Sequence, residues 1–206
     1  MTDETGAAGV LEKAKRAQGR PRSVENDRAI MSAVKTMLAE EGFEGLRFDA
    51  LARVSGVSRP SIYRRWATKA ELLNEVVYGN KWDIPADLVR NDLRRTIRNI
   101  LENVTSYYSR PEMRAAVLGA LASLPSTARA PCELAIEAEK ETRGAVAQMV
   151  ADAKAAGLMR PDVEPGALYD LMMGSVIYRT IFSYRRISGE IPEDLVDIIM
   201  DGLQAS

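Results

Sequence analysis

Histidine is absent from the 206-residue sequence, and cysteine occurs once, at Cys132. Without an imidazole the chain cannot form the Ser-His-Asp or Cys-His sites of nucleophilic catalysis. One cysteine excludes an intrachain disulfide and the Cys/His ligand sets of structural zinc, and we expect neither a metal nor a cofactor. Cys132 is followed by Glu133 and has no basic neighbour, so we interpret its thiol as unreactive.

Long apolar runs are also missing. The longest stretch without a charged residue, 115–128, is broken by Pro125 and falls short of the roughly 20 apolar residues of a membrane span. The first residues lack the apolar core of a signal peptide. We therefore expect a cytoplasmic protein with no membrane partner.

Charge is distributed unevenly, although the formal net charge is only -1. Residues 13–69 contain thirteen Lys/Arg against six Asp/Glu, whereas the rest of the chain contains fifteen against twenty-three. A basic segment joined to an acidic body indicates an end of the molecule that binds a polyanion.

Apolar residues recur every three to four positions and no alternating pattern competes, so the predicted fold class is all-α. The pattern places Leu51, Val54 and Ile136 among the inward-facing residues. Capping and helix-breaking residues give the expected boundaries: Gly42 ends the first helix, and Thr68 and Glu71 form a capping box at the start of the fourth. The expected helices are about 24–41, 48–55, 59–66 and 68–78, then about 87–109, 113–124, 127–156, 165–187 and 192–203.

Residues 48–66 have the spacing of a helix-turn-helix, in which a turn containing Gly56 separates two short helices. Ser58 is the expected cap of the second helix, which buries Ile62 and Trp66. The side chains expected on its exposed face are polar or basic: Arg59, Ser61, Tyr63, Arg64 and Arg65. Arginine forks fit guanine edges and phosphates, and hydroxyls fit phosphates or adenine and thymine edges. Residues 53–69 include five basic residues and no acidic one, which favours nucleic-acid binding over an ordinary solvated face.

The run GFEGLRFDALARVSGVSRPSIYRRWATKAELL resembles the DNA-binding signature of the tetracycline-repressor (TetR) family of bacterial transcription regulators. The resemblance covers about residues 24–78. Its matching motifs are Gly42-Phe43, the run from Ala52 to Ser58, Tyr63 with Trp66, and Lys69. It implies that Tyr63 and Lys69 contact phosphates. The residues it implies to face DNA are Ser58, Arg59, Ser61, Tyr63, Arg64 and Lys69.

Two positions depart from the family pattern, and one segment before the first helix extends the resemblance. Arg47 stands where many members have a capping Thr or Ser, and it is placed to reach a phosphate. Pro60 replaces a small residue and is tolerated in a first helical turn. Arg20 and Arg22 belong to a GRPR arm that resembles the minor-groove arms of many members, with a solubilising tail as the alternative.

Residues 171–184 are apolar on nearly every face of a helix, so the helix must be buried on all sides. With the last helix, this segment looks like the two-helix dimer surface of the family, and the alternative is a core helix within one chain. A palindromic operator favours the homodimer, because it requires a two-fold protein. The expected dimer residues are Gly174, Ile177, Ile181, Leu195, Ile198 and Ile199.

Tyrosine and methionine cluster among the middle helices, where Met adapts to varied ligands and Tyr adds a hydroxyl. The expected effector-binding residues are Tyr107, Tyr108, Met113, Leu118, Leu121, Met149, Met172 and Tyr178. The effector is expected to be small and apolar or aromatic, because the body of the chain is acidic. Arg179 is interpreted as a partner either for a ligand carboxylate or for an ion pair at the dimer surface.

These observations predict a homodimeric transcription regulator that binds a double-stranded DNA operator and is released by a small ligand. The domains are an arm at 1–22, a three-helix helix-turn-helix domain with a linker helix at 23–80, and a helical ligand-binding and dimerisation domain at 81–206. Three alternatives remain.

One alternative is a TetR-like activator, or a regulator without a small ligand. Another is an enzyme that uses the carboxylates of Glu137, Glu139 and Glu141, although Lys140 and Arg143 lie among them and indicate a solvated face. The last is a purely structural interaction protein, which would not need a basic surface free of acidic residues.

Overall fold

The computed structural model describes residues 24–79, 92–123, 133–183 and 190–203, and within these ranges it is all-α, as predicted. None of the helices described is long and apolar enough to cross a membrane. The helices are α1 (Val24–Gly45), α2 (Phe48–Ser55), α3 (Arg59–Arg65), α4 (Lys69–Tyr78), α5 (Leu93–Tyr108), α6 (Pro111–Ala122), α7 (Glu133–Ala155), α8 (Pro165–Ile177) and α9 (Glu193–Leu203).

A glycine interrupts α1 at the predicted end of that helix, and another ends α2 where the sequence predicted. Gly42 has φ 69° and ψ -174°, so the regular part of α1 breaks there, and the chain makes one more turn to Gly45. Gly56 caps α2 with φ 69° and ψ 9°, a left-handed conformation that side chains with a Cβ adopt rarely. The glycine at the end of α2 therefore opens the turn before α3.

The helices of the second half begin and end differently from the prediction. Asp92 is extended and its side chain accepts a hydrogen bond from Arg95 N at 2.9 Å, so α5 begins at Leu93. Pro111 suits a first turn, so α6 begins two residues before the predicted start. The predicted positions 87–91, 124 and 127–132 lie outside the described residues.

The helix predicted over 165–187 ends early. From Tyr178 to Phe182 it becomes a π-helical turn, in which Ser183 N donates to Tyr178 O at 2.8 Å. Ser183 has ψ 131°, which is an extended conformation, so the helix does not continue past Phe182. Positions 184–187 are not among the described residues.

Two apolar cores hold the molecule together. The first, formed by α1 to α4, surrounds Trp66 and Leu72 and also receives Met113 and Ala116 from α6. The second is formed by α5, α7, α8, the π-helical turn and α9. Helix α6 therefore belongs by its packing to the N-terminal core, although it lies in the C-terminal half of the sequence.

Two residues predicted to face inward are exposed instead. Val54 is 56% exposed and Ile136 is 47% exposed, whereas Leu51 is buried as predicted. Helix α2 is only two turns long and buries a single residue. The buried residues of α7 begin at Val146, so its first half lies beyond the core. Helical periodicity identified a face but not how far along each helix the core extends.

Helix α6 packs against α1 and α4 through Gly119. A Cβ at this position would lie 2.7 Å from Phe43 Cβ and 2.8 Å from Leu73 Cδ1, closer than carbon atoms approach. Phe43 Cβ is next to the backbone of α1 and cannot move independently of it. The absence of a side chain at Gly119 is therefore what permits this helix contact.

Replacing Gly119 with Ala is expected to lower the free energy of unfolding by about 1–3 kcal/mol, since overpacking forces the helices apart. Gly144→Ala is the matched control, because nothing lies within 4 Å of its Cβ position in the interior of α7. The control is expected to raise stability by up to about 1 kcal/mol through helix propensity. Urea unfolding measures both, and an unchanged midpoint for Gly119→Ala would contradict the packing described.

Candidate nucleic-acid interface

The two helices of the helix-turn-helix are α2 and α3, joined by the turn 56–58. Ser58 O accepts hydrogen bonds from Ser61 N at 2.9 Å and Ile62 N at 3.2 Å, which starts α3. Ser58 is the N-cap residue of α3, as predicted, but its side chain makes no capping bond, and its hydroxyl lies 2.9 Å from that of Ser61 instead. Pro60 occupies the first turn, where its missing amide removes no helical bond.

Helix α3 buries one side and exposes the other, as predicted. Ile62 and Trp66 lie in the N-terminal core. Tyr63 is exposed, and its ring packs edge-on against Phe48 with centroids 4.9 Å apart. The structure therefore brings most of the predicted DNA-facing residues of this helix to one surface. The exposed residues are Ser58, Arg59, Pro60, Tyr63 and Arg64, with Ser61 half-buried beside them.

Arg59 is paired, which the sequence pattern did not indicate. Its Nε lies 2.7 Å from Asp49 Oδ1 of α2, and both side chains remain more than half exposed. Arg47, at the start of α2, is exposed and provides no cap, in agreement with its expected departure from the family pattern. Arg20 and Arg22 of the predicted arm lie outside the described residues.

Arg65 does not belong to the exposed surface, contrary to the prediction. Its guanidinium contacts Asp27 of α1 and lies 2.5 Å from Glu75 Oε1 of α4. It also lies over the Trp66 ring, 4.4 Å from the centroid, and Trp66 Nε1 donates to the same Glu75 carboxylate at 2.7 Å. This half-buried network joins α3 to its neighbouring helices. Its acidic partners are distant in sequence, so local charge counting could not find them.

Lys69 begins α4 and lies near Glu44 and Arg47. Its Nζ lies 5.4 Å from the centroid of the Phe43 ring. Desolvation by this packing lowers the Lys69 pKa, Glu44 acts in the opposite direction, and Arg47 lowers it further. Because the Lys69 ammonium is already partly desolvated, it would lose less hydration on contact with a phosphate.

The helix α4 is capped as the sequence predicted, with a shift of one residue. Glu71 N donates to Thr68 Oγ1 at 3.2 Å. The Glu71 carboxylate accepts from the amide of Ala67 at 2.8 Å, one residue before the expected Thr68. This reciprocal cap fixes where α4 begins and therefore where Lys69 lies.

The second candidate site is a cavity of about 410 Å³, open to solvent on one side and lined by α4 to α8 and the π-helical turn. Among the predicted effector residues, Tyr108 and Leu121 line it. Its wall also includes residues that the sequence analysis missed. These are Val77, Tyr78, Val117, Ala135, Ala138, Glu139, Thr142, Tyr169, Met173, Ile177 and Phe182.

The other predicted effector residues do not line this cavity. Met149 and Met172 are buried in the C-terminal core, and Met113 is buried in the N-terminal core. Leu118 and Tyr178 are exposed. Residue type predicted which side chains suit a ligand, but it could not show which buried positions border a void.

Tyr108 and Tyr169 of the cavity wall are neutral hydrogen-bonding groups. Burial raises the Tyr108 pKa well above its usual value, and neighbouring tyrosines act in the same direction. Burial also raises the pKa of Tyr169, with Glu139 adding to the effect. Arg143 Nε donates to Glu139 Oε1 at 2.8 Å, and Arg143 Nη2 lies 2.7 Å from Asp170 Oδ1. The one acidic side chain in the wall is thus already paired, as expected of a solvated face.

Tyr107 connects the cavity region to the N-terminal domain. Its hydroxyl donates to the backbone oxygens of Val76 at 3.3 Å and Val77 at 3.2 Å, in the last turn of α4. Its ring packs edge-on against Tyr108, with centroids 5.3 Å apart. Tyr107 was predicted as an effector contact, and the structure places it between a cavity residue and α4.

The predicted dimer residues divide into two groups. Ile181 and Ile199 are buried in the core of the chain itself, so they present no free surface. Ile198 is 67% exposed and Gly174 is exposed, while Ile177 and Leu195 are half-buried. Three further apolar side chains on α8 and the π-helical turn are exposed: Leu171, Tyr178 and Phe182. Arg179 Nε is buried and has no hydrogen-bond partner among the described residues.

These features define a class of protein, a DNA-binding transcription regulator with a helix-turn-helix domain and a second helical domain. Residues 30–76 match the family described as bacterial regulatory proteins, tetR family, and residues 87–199 match the tetracyclin repressor-like C-terminal domain. The chain therefore belongs to the TetR family, as its sequence resemblance implied. In the part of the chain that the structure describes, no group of His, Cys, Asp and Glu is placed to hold a metal ion.

Known relatives agree with this assignment. The HTH-type transcriptional regulator YdeS of Bacillus subtilis is 25% identical over 199 residues, which cover 92% of this chain and 95% of YdeS. The HTH-type transcriptional repressor BdcR of Escherichia coli is 34% identical over 86 residues, covering 40% of this chain and 43% of BdcR. NalD, a repressor of the MexAB-OprM multidrug efflux pump in Pseudomonas aeruginosa, shares the fold, with TM-score 0.56, 21% identity, and coverage of 87% of this chain and 96% of NalD.

Proposed function

We propose that this protein is a ligand-responsive repressor that binds a palindromic operator as a homodimer in the cytoplasm. The observation that carries the proposal is the exposed surface of α3, where Arg59, Tyr63 and Arg64 lie together. Guanidinium forks on such a helix read guanine edges, while Tyr63 and Lys69 are suited to phosphates. The names of BdcR and NalD as repressors support repression over activation.

Arg59→Ala and Tyr63→Ala are each expected to weaken operator binding by about 1–3 kcal/mol, because each removes a contact to DNA without removing a core residue. The measurement is fluorescence anisotropy on a duplex selected from randomised DNA with the wild-type protein. Lys140→Ala, on the exposed face of α7, is the control for Arg59→Ala, because it also removes one positive charge but outside α3. Affinity of the wild type should fall steeply with salt as counterions are released.

Wild-type affinity in either α3 variant would remove that residue from the proposed interface. Selection of no duplex by the wild-type protein would contradict the operator proposal itself. An activator would bind the same duplex but raise, rather than lower, expression of a reporter gene placed downstream of it.

The proposed dimer surface lies on α8, the π-helical turn and α9. Leu171, Phe182 and Ile198 are exposed apolar side chains on these elements, and a partner chain would remove them from water. An apolar surface of this kind on a folded chain is typical of an interaction site. Two copies related by a two-fold axis would present two α3 helices to successive major grooves.

Ile198→Arg is expected to dissociate the dimer, since it would bury a charge without a partner at a cost of several kcal/mol. The monomer should remain folded, because Ile198 is exposed in the single chain. Sedimentation velocity measures the change, and Ile136→Arg on the exposed part of α7 is the control. A variant that sediments as the wild-type dimer would place the interface elsewhere.

The proposed effector is a neutral apolar or aromatic molecule bound in the cavity. Most of the wall is apolar or aromatic, and the tyrosine hydroxyls supply neutral hydrogen bonds. Val77 and Tyr78 belong to α4, so a bound molecule would touch the helix that begins with Lys69. A ligand that prefers the state unable to bind DNA by about 1.4 kcal/mol lowers operator affinity tenfold.

Ala138→Phe is expected to fill the cavity and abolish effector release while leaving operator affinity unchanged, because Ala138 lines the wall far from α3. Glu137→Phe, the neighbouring exposed position, is the control and should respond as the wild type does. The measurement is anisotropy of the protein–DNA complex titrated with uncharged two- and three-ring aromatic compounds. If no compound released the wild type, a regulator without a small ligand would replace this proposal.

A further inference from the structure

Two consecutive residues at the start of α2 each contact an exposed side chain of α3. Phe48 packs against the Tyr63 ring, and Asp49 binds Arg59. Arg59 and Tyr63 are four residues apart and therefore lie on one face of α3. The first turn of α2 thus forms a support for the surface that is proposed to enter the major groove.

The atom that Asp49 uses is informative. Asp49 Oδ1 lies 2.7 Å from Arg59 Nε, the donor nearest to the side-chain stem. The contact is an ion pair, and the four N–H donors on the two terminal nitrogens of the planar arginine fork are left for another acceptor. Guanine is read by two parallel bonds from such a fork to O6 and N7. The observed contact therefore restrains the guanidinium without using its terminal nitrogens.

The pair contributes little to folding. The Arg59 side chain is 56% exposed and that of Asp49 is 67% exposed, and ion pairs in water are weak. The carboxylate is also unfavourable for general DNA affinity, because it lies on a surface that would face phosphates. What the contact does provide is a restraint on the long Arg59 side chain, which lowers the ordering required when it meets a base.

We propose that Asp49 is a positioning residue for sequence discrimination, which holds Arg59 so that its terminal nitrogens read a guanine of the operator. This inference rests on the operator binding proposed above and adds a residue that acts through Arg59. The proposal leads to separate expectations for base discrimination and for general DNA affinity. Asp49→Asn should reduce discrimination between bases, whereas affinity for unrelated DNA should not fall, since a negative charge has been removed.

The experiment uses the full-length protein and the duplex selected from randomised DNA by the wild type. Each base pair of one half-site is changed in turn, and the base pairs read by Arg59 are those at which Arg59→Ala loses discrimination. At these base pairs, Asp49→Asn is expected to lose discrimination by about two- to fivefold, the range that an exposed ion pair of up to about 1 kcal/mol can provide. Binding to a duplex of unrelated sequence is measured in parallel.

Two controls separate positioning from charge and from folding. Glu44→Gln removes an exposed carboxylate that faces Lys69, and it should raise affinity for all duplexes equally. In the double variant with Arg59→Ala, Asp49→Asn should cause no further loss of discrimination. Circular dichroism checks that each variant keeps its helices.

Wild-type discrimination in Asp49→Asn, or a loss that persists without Arg59, would overturn the proposal for Asp49 and leave operator binding intact. A wild-type protein that selects no duplex would overturn both proposals, so the two failures are distinguishable.

Discussion

At Gly119 the backbone of α6 lies so close to Phe43 and Leu73 that no side chain fits between them. This contact joins the two halves of the molecule, because α6 packs Met113 and Ala116 into the N-terminal core. The same helix lines the cavity through Val117 and Leu121. Helix α6 is therefore shared by the core that holds α3 and by the wall of the cavity. A displacement of α6 at the cavity also changes its packing against that core.

The arginines of α3 have different roles that their sequence does not distinguish. Arg65 is half-buried between two carboxylates and the Trp66 ring, which fixes α3 on its support. Arg59 forms an ion pair with one carboxylate, that of Asp49, and this pair is exposed to water. Arg64 is also exposed. Exposed pairs exchange partners at little cost, whereas removing one member of a desolvated pair leaves an unpaired charge. The exposed arginines are thus available to a new acceptor, and Arg65 is not.

The all-α class, the helix-turn-helix and the burial of Ile62 and Trp66 were predictable from the sequence, because periodicity, capping residues and turn glycines act locally. The ion pairs of Arg65 and the lining of the cavity were not. They depend on which helices meet, and residues such as Glu75 and Tyr169 reach their neighbours only through the fold. The early end of the helix at Phe182 was missed because no glycine or proline follows it before Gly189, so the local sequence carries no stop signal there.

Helix α4 is the direct connection between the two sites. Its ten residues span about 15 Å, with Lys69 in the first turn, where the DNA interface is proposed, and Val77 and Tyr78 in the last turn at the cavity. The hydrogen bonds of Tyr107 to the last turn tie this end of the helix to α5. A helix of this length moves as a rigid rod, so displacing Tyr78 must also displace Lys69 or bend the rod. A ligand in the cavity can thus act on the proposed DNA interface without touching it, provided that it binds the two positions of α4 with different affinity.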